Sequence, residues 1–277
     1  MSIVFGILVL LCGAAAAVVL LSYAFAWCEY ANGRPAAMEG RFALKHLGLA
    51  VWLLLLETAF LLLNLLLHPL GWHSPRERPR QEERGIPVLL LHGLFLNRAC
   101  WTWIRLRLRL QGIRNVYALN LPPWKDVESL TERVSKKVDE LRHTTGIEQV
   151  HLVGHSMGGI IARNYLQIRG GAHKVGHCVL LGAPNHGSRL APFAISPMGS
   201  LLLPGSKFLS LLAAAPIPDE ACITNIYTRH ENMVLPAENA HLSGVKNIEL
   251  AGMGHHGLLY HPRAVAAVLD ALKQEEP

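Results

Sequence analysis

The stretch "QVHLVGHSMGGIIARNYLQ", residues 149–167, constrains this chain more than any other. A short apolar run of β type enters Gly-His-Ser-Met-Gly-Gly, and an apolar run of helix type follows at once. A strand that turns directly into a helix needs glycines beside the turn, where any side chain would meet neighbouring backbone. The serine at the apex is pushed clear of the main chain. The following helix start offers unpaired N–H groups and the positive end of its dipole to developing negative charge. Ser156 is therefore the candidate nucleophile; the plainer alternative is a serine that merely caps a glycine-rich turn.

The surrounding pattern supplies the sheet that such a turn requires. Short β-type runs stand at 86–93, 115–122, 149–156, 175–184, 222–228 and 245–252. Helix-type runs stand at 129–146, 159–171 and 262–274; in the first, Leu130, Val134, Val138 and Leu141 share one face before a glycine stop. Alternation of this kind predicts an α/β fold, a mostly parallel sheet covered on both faces. Functional sites of such sheets lie beyond the C-terminal ends of the strands. The arginine-rich "RLRLRLQG" at 105–112 has no aromatic interleaving and reads as a solvated helix face, not a nucleic-acid surface.

The first seventy residues are different. Residues 3–27 carry no charge, and residues 47–67 are apolar except for Glu57 and Asn64. At ~1.5 Å per residue each run can cross a ~30 Å hydrocarbon layer. The first lacks the basic start of a signal peptide, so the expectation is a transmembrane helical hairpin over 1–73. Glu57 and Asn64 lie seven apart and share a helical face, expected to meet the first helix or a second copy of the chain, which would make a homo-oligomer. Residues 74–85, "SPRERPRQEERG", read as a linker to a globular part over 86–277. The net charge of +6 fits proximity to anionic lipid. Basic residues on the two sides of the second run are too evenly matched to orient the hairpin. The odd number of cysteines in the globular part, Cys100, Cys178 and Cys222, leans to a reducing compartment and so to the cytoplasmic face.

Two further motifs flank the serine in the expected fold. "LLLHGLF" at 89–95 ends the first globular strand, where a His-Gly pair precedes a backbone N–H able to stabilise an oxyanion. The amides of Leu94 and Met157 are the expected donors. His92 and His155 read as structural. A general base belongs in a loop after the last strand, and "LAGMGHHGLLYHP" at 250–262 offers His255 and His256, with the turn favouring His255.

Together "GHSMGG", "HGLF", "GAPNHGS" and "GMGHHGLLYHP" resemble the small bacterial lipases and esterases of the α/β-hydrolase fold, over residues 86–272. The hairpin departs from the secreted lipases and is closer to membrane-anchored bacterial hydrolases, which implies an inner-membrane location. The resemblance maps the base onto His255, with His256 in a variable slot. It also implies an acid in a turn of the form acid-x-x-Val after the strand "ITNIYT". That slot holds Glu231. Of the other acids between Ser156 and His255, Asp219 and Glu220 precede the strand, Glu238 follows the turn and Glu249 lies in the last strand. A glutamate can orient a histidine as an aspartate does, provided its extra methylene is absorbed. The alternative is a surface Glu231, with Asn232 orienting the histidine. The loop "GAPNHGS" at 182–188 is expected to shape the pocket floor, with Asn185 and His186 serving loop structure.

Residues 189–218 carry only Arg189 and Lys207 as charges, and in this fold insertions here form a cap or lid. An apolar cap suits acyl chains or a bilayer surface, although a packed helix pair would look the same. The implied activity is hydrolysis of lipid-like carboxylic esters, as a lipase, esterase or phospholipase, with no metal or cofactor. Thioesterase, amidase and acyltransferase chemistry share the same machinery. A non-catalytic membrane-anchored binding protein and a transporter are the more distant readings.

Overall fold

The computed structural model describes residues 2–34, 43–72 and 85–273, so the expected linker at 74–85, apart from Gly85, lies outside the described residues. Two long apolar helices come first, α1 (Ser2–Gly33) and α2 (Leu44–Trp72). All six expected strands form: β1 (Val88–Leu91), β2 (Val116–Leu119), β3 (Val150–His155), β4 (Val175–Leu181), β5 (Cys222–Thr228) and β6 (Lys246–Leu250). They make one parallel sheet in the order β2-β1-β3-β4-β5-β6. β1, β3 and β4 are buried along their whole length, as central strands of a parallel sheet covered on both faces are.

Alternation within β1 assigns the two faces. Leu89 and Leu91 join one core with Leu130, Val134, Val138 and Leu141 of α4 (Val127–Thr145) and Ile160 of α5 (Met157–Arg163). Val88 and Leu90 point to the opposite core, with Ile104 and Leu108 of α3 (Thr102–Leu110) and the buried face of α9 (Pro262–Lys273). α4 starts two residues earlier than the apolar pattern indicates, because the Asp126 side chain accepts from the Ser129 amide at 2.9 Å. It ends at Gly146, whose φ is 69°. α5 is shorter than expected: its last turn widens to π geometry over Asn164–Ile168. Between β4 and β5 the apolar stretch forms two short helices, α6 (Pro197–Leu201) and α7 (Lys207–Ala214); Met198, Leu209 and Leu212 join the first core.

α1 and α2 pack on each other and along the rest of the chain. The side chains of Asn97 and Asn120 donate to the carbonyls of His68 and Gly71. Tyr260 donates to Asn64 Oδ1 at 2.6 Å and stacks on Phe60. Arg34 and Glu238 pair at 2.6 Å, and Glu29 pairs with Arg189. The face of α2 that carries Glu57 and Asn64 was expected against α1 or a second copy; residues 254–260 of the same chain pack on it, with Tyr23 of α1 beside Glu57. Other side chains of both helices are apolar and exposed, including Ile3, Val4 and Phe5 of α1 and Leu47, Val51 and Leu55 of α2.

Leu130 is fully buried between α4 and the sheet. Leu130→Ala is expected to cost about 2–5 kcal/mol. In detergent-solubilised protein this reads as a lower urea midpoint at unchanged slope. An unchanged midpoint would contradict the packing of α4.

Candidate active site

β3 ends at His155, and Ser156 adopts φ 54° and ψ −124° before α5 begins at Met157. A non-glycine residue in this region carries strain on the order of 1–3 kcal/mol, which surrounding structure must hold in place. The Ser156 amide donates to the Leu181 carbonyl at 2.9 Å, and the Gly159 amide donates to the Ser156 carbonyl at 2.9 Å. The glycines of the motif are sterically required. A Cβ at Gly154 would lie 2.6 Å from the Gly158 carbonyl, and one at Gly158 would lie 2.1 Å from the Leu91 carbonyl oxygen.

The loop after β1 passes over the serine. A Cβ placed on Gly93 would stand 3.0 Å from the Ser156 Cβ, so residues 93–94 and the start of α5 converge on one point. Leu94 and Met157 thus both stand beside Ser156 in the chain path, Met157 buried and Leu94 half-buried. His92 fixes this loop from below. Its Nδ1 is 2.8 Å from the Gly93 carbonyl, and its Nε2 accepts from the Leu121 amide at 2.8 Å. That arrangement needs the neutral ring, and burial holds its pKa down to about 4.

Glu231 is buried in the turn after β5, and His255 is buried in the loop after β6. The His255 Nδ1 lies 3.0 Å from the Glu231 carboxylate. Glu231 Oε1 also accepts from the amides of Asn232, Met233 and Val234 at 2.9, 2.8 and 3.3 Å. The carboxylate is therefore folded back over its own turn, which absorbs the extra methylene. Asn232 does not touch the imidazole; its Oδ1 accepts from the His255 backbone amide at 3.0 Å. Burial raises the Glu231 pKa, but the His255 charge, its hydrogen bond and the turn amides outweigh it and leave a net depression. Burial lowers that of His255, and the Glu231 charge and hydrogen bond outweigh it, leaving it above the usual histidine value.

Of the two adjacent histidines, His255 meets Glu231; the His256 Nδ1 instead lies 3.5 Å from Glu57. His155 carries its ring against that of His255, with centroids 4.6 Å apart, and its Nε2 is 3.2 Å from the His255 carbonyl. Burial, then the neighbouring His255 and His256, hold His155 well below the usual histidine range. This ring contact sets His255 beside the residue that precedes Ser156. Asn185 is tied into the scaffold, donating to Asn225 Oδ1 and the Ala240 carbonyl, while His186 is exposed. Reading from the sequence missed the part α1 and α2 play around these groups. Ser22 accepts from Asn232 at 2.8 Å, Tyr23 donates to the His230 carbonyl at 3.3 Å, and Glu57 accepts from the loop that carries His255. The available signal was a carboxylate in an otherwise apolar helix, which demands polar partners somewhere.

The sequence profile of the Alpha/beta hydrolase family matches residues 88–229, just over half of the chain. A triacylglycerol lipase from Pseudomonas fragi is 29% identical over 151 residues, covering 49% of this chain and 50% of that protein. The chain spans half or less of the length of the curated relatives it matches. Among solved structures, Aspergillus fumigatus lipase B superposes with a TM-score of 0.64 at 21% identity, over 74% of this chain and 56% of that one. Bacillus licheniformis lipase BlEst2 in its mature form gives 0.55 at 20% identity, over 72% and 96%. The parallel sheet, the strained strand-to-helix turn and the profile match agree: the chain belongs to the α/β-hydrolase family.

Proposed function

We propose that this protein is a serine hydrolase of lipid-like carboxylic esters, working through Ser156, His255 and Glu231. The observation that carries the reading is the buried Glu231–His255 pair beside the strained Ser156. In this reading Ser156 Oγ attacks the ester carbonyl and passes its proton to His255 Nε2. Glu231 holds the ring with Nδ1–H towards itself and stabilises the imidazolium. The amides of Leu94 and Met157 receive the oxyanion. Collapse expels the alcohol, protonated by His255, and leaves an acyl group on Ser156. Water, deprotonated by His255, then releases the acid.

The lipid character of the substrate rests on apolar surface. Phe95 follows the proposed oxyanion loop and is exposed, facing exposed Trp124 at 6.4 Å. Phe193, Ile195 and Leu211, in the stretch expected as a cap, are 67%, 86% and 66% exposed. Exposed aromatic and aliphatic side chains in such number suit acyl chains or a bilayer surface. The outward faces of α1 and α2 add a long apolar surface, and both helices are long and apolar enough to cross a membrane. A membrane-seated hydrolase of acylglycerols or glycerophospholipids unites these features. The triacylglycerol lipase from Pseudomonas fragi among the relatives supports the same substrate class.

The test is a p-nitrophenyl ester series from butyrate to palmitate, run on detergent-solubilised protein with Ser156→Ala as the blank. Turnover should rise towards long chains and vanish in the variant. Turnover confined to short chains would contradict the lipid assignment, and turnover that survives Ser156→Ala would contradict the nucleophile.

The pH profile follows from the raised His255 pKa. A base must be neutral, so kcat/KM should fall as pH drops through a value above the usual ~6.5 of histidine. Glu231→Gln removes the charge that stabilises the imidazolium. Its acid limb should move to lower pH while the plateau drops about 10³–10⁴-fold. An acid limb that does not move would contradict the pairing.

A further inference from the structure

Glu57 lies midway along α2, in a run of leucines, yet it is fully buried by protein. Its Oε1 accepts from the backbone amides of Gly254 at 3.0 Å and Gly257 at 2.7 Å, and its Oε2 accepts from the amide of His256 at 2.8 Å. The remaining amide of this four-residue segment, that of His255, goes to Asn232 Oδ1. Every N–H from 254 to 257 is thus held by a side chain from elsewhere. The last two of these amides, those of His256 and Gly257, stand at the open start of the short helix α8 (Gly257–Tyr260).

The loop is shaped to admit Glu57. A Cβ at Gly254 would lie 2.4 Å from the Tyr23 hydroxyl and 2.7 Å from the Glu57 Cδ; one at Gly257 would lie 2.8 Å from Glu57 Oε1. Asn232 is itself held by Ser22 of α1. Both apolar helices therefore reach the backbone that carries His255.

We infer that Glu57 is a positioning residue for His255: the apolar hairpin is part of the active-site scaffold and not only an anchor. The inference rests on the hydrolase reading of Ser156 and His255. Glu57 touches neither the His255 ring through a hydrogen bond nor Ser156. It fixes the main chain on either side of His255, so that the imidazole meets Glu231 on one edge and faces the serine with the other. A displacement of about 1 Å at a reacting group can cost on the order of 10²-fold in rate. The effect belongs to kcat, because substrate binding surfaces are left intact.

The test compares Glu57→Gln and Glu57→Leu with Asn64→Leu, one face of the same helix, in full-length detergent-solubilised protein. Glutamine is isosteric and keeps one oxygen for the loop, but it offers an NH₂ where another amide must be accepted. Glu57→Gln should lower kcat about 10-fold and Glu57→Leu about 100-fold, with KM within about 2-fold of wild type. Asn64→Leu breaks the Tyr260 contact, which also docks α2, and should leave kcat unchanged. The glutamine variant decides alone should leucine unfold the chain. Wild-type kcat in folded Glu57→Gln would overturn the inference while leaving the hydrolase reading intact. An equal loss in Asn64→Leu would also overturn it, since docking and not the His255 loop would then be responsible. Wild-type protein with no turnover dependent on Ser156 would overturn the hydrolase reading, and this inference with it.

Discussion

Four consecutive backbone amides, Gly254 to Gly257, are the point on which the three parts of this molecule meet. They are buried, so each must find an acceptor or cost the desolvation of a polar group, of order 1–3 kcal/mol. No acceptor for them comes from the strands. Glu57 of α2 takes three and Asn232 of the turn after β5 takes one. A carboxylate that would be costly inside an apolar helix thereby gains partners, and a loop that would be loose at the edge of a sheet gains a fixed conformation. The same bonds tie the hairpin to the hydrolase fold and hold His255 against Glu231.

The parallel sheet does the rest of the positioning. Strands that run the same way deliver the turn at Ser156, the loop at Leu94, the turn at Glu231 and the loop at His255 to one edge. The backbone strain at Ser156 is borne by packing that leaves no alternative: glycines at 154 and 158 let β1, β3 and α5 approach within contact of one another. Most of the polar contacts at this edge are buried, including those of Glu231 with His255 and of Glu57 with the His255 loop. Their strength follows from exclusion of water as much as from their geometry.

Much of this was legible in the sequence. The six strands fall where short β-type runs alternate with helix-type runs, and the Gly-x-Ser-x-Gly turn sits between a strand and a helix. The family resemblance implies an acid in the turn after β5, and Glu231 is the acid that stands there, 3.0 Å from His255. Its compensation for a longer side chain was not legible, since it depends on three amides of its own turn. The fate of Glu57 was hidden for a different reason. Hydropathy treats an apolar helix as solvated by lipid on all sides, whereas α2 lays one face along the globular part. A carboxylate in such a helix signals that a partner exists, but not that the partner is two hundred residues away. Helix ends were misjudged where side-chain capping at Asp126 and a π turn at Asn164 override the apolar period.

The most direct measurement is mass-spectrometric mapping of the adduct formed by a fluorophosphonate on the folded, detergent-solubilised protein, followed as a rate in wild type and in His255→Ala. A hydroxyl reacts at a useful rate only when a neighbouring base accepts its proton. The expected result is a single phosphonylated residue, Ser156, at a rate that collapses without His255. An unmodified Ser156, or modification that proceeds equally fast without His255, would contradict the central claim that the Glu231–His255 pair activates this serine.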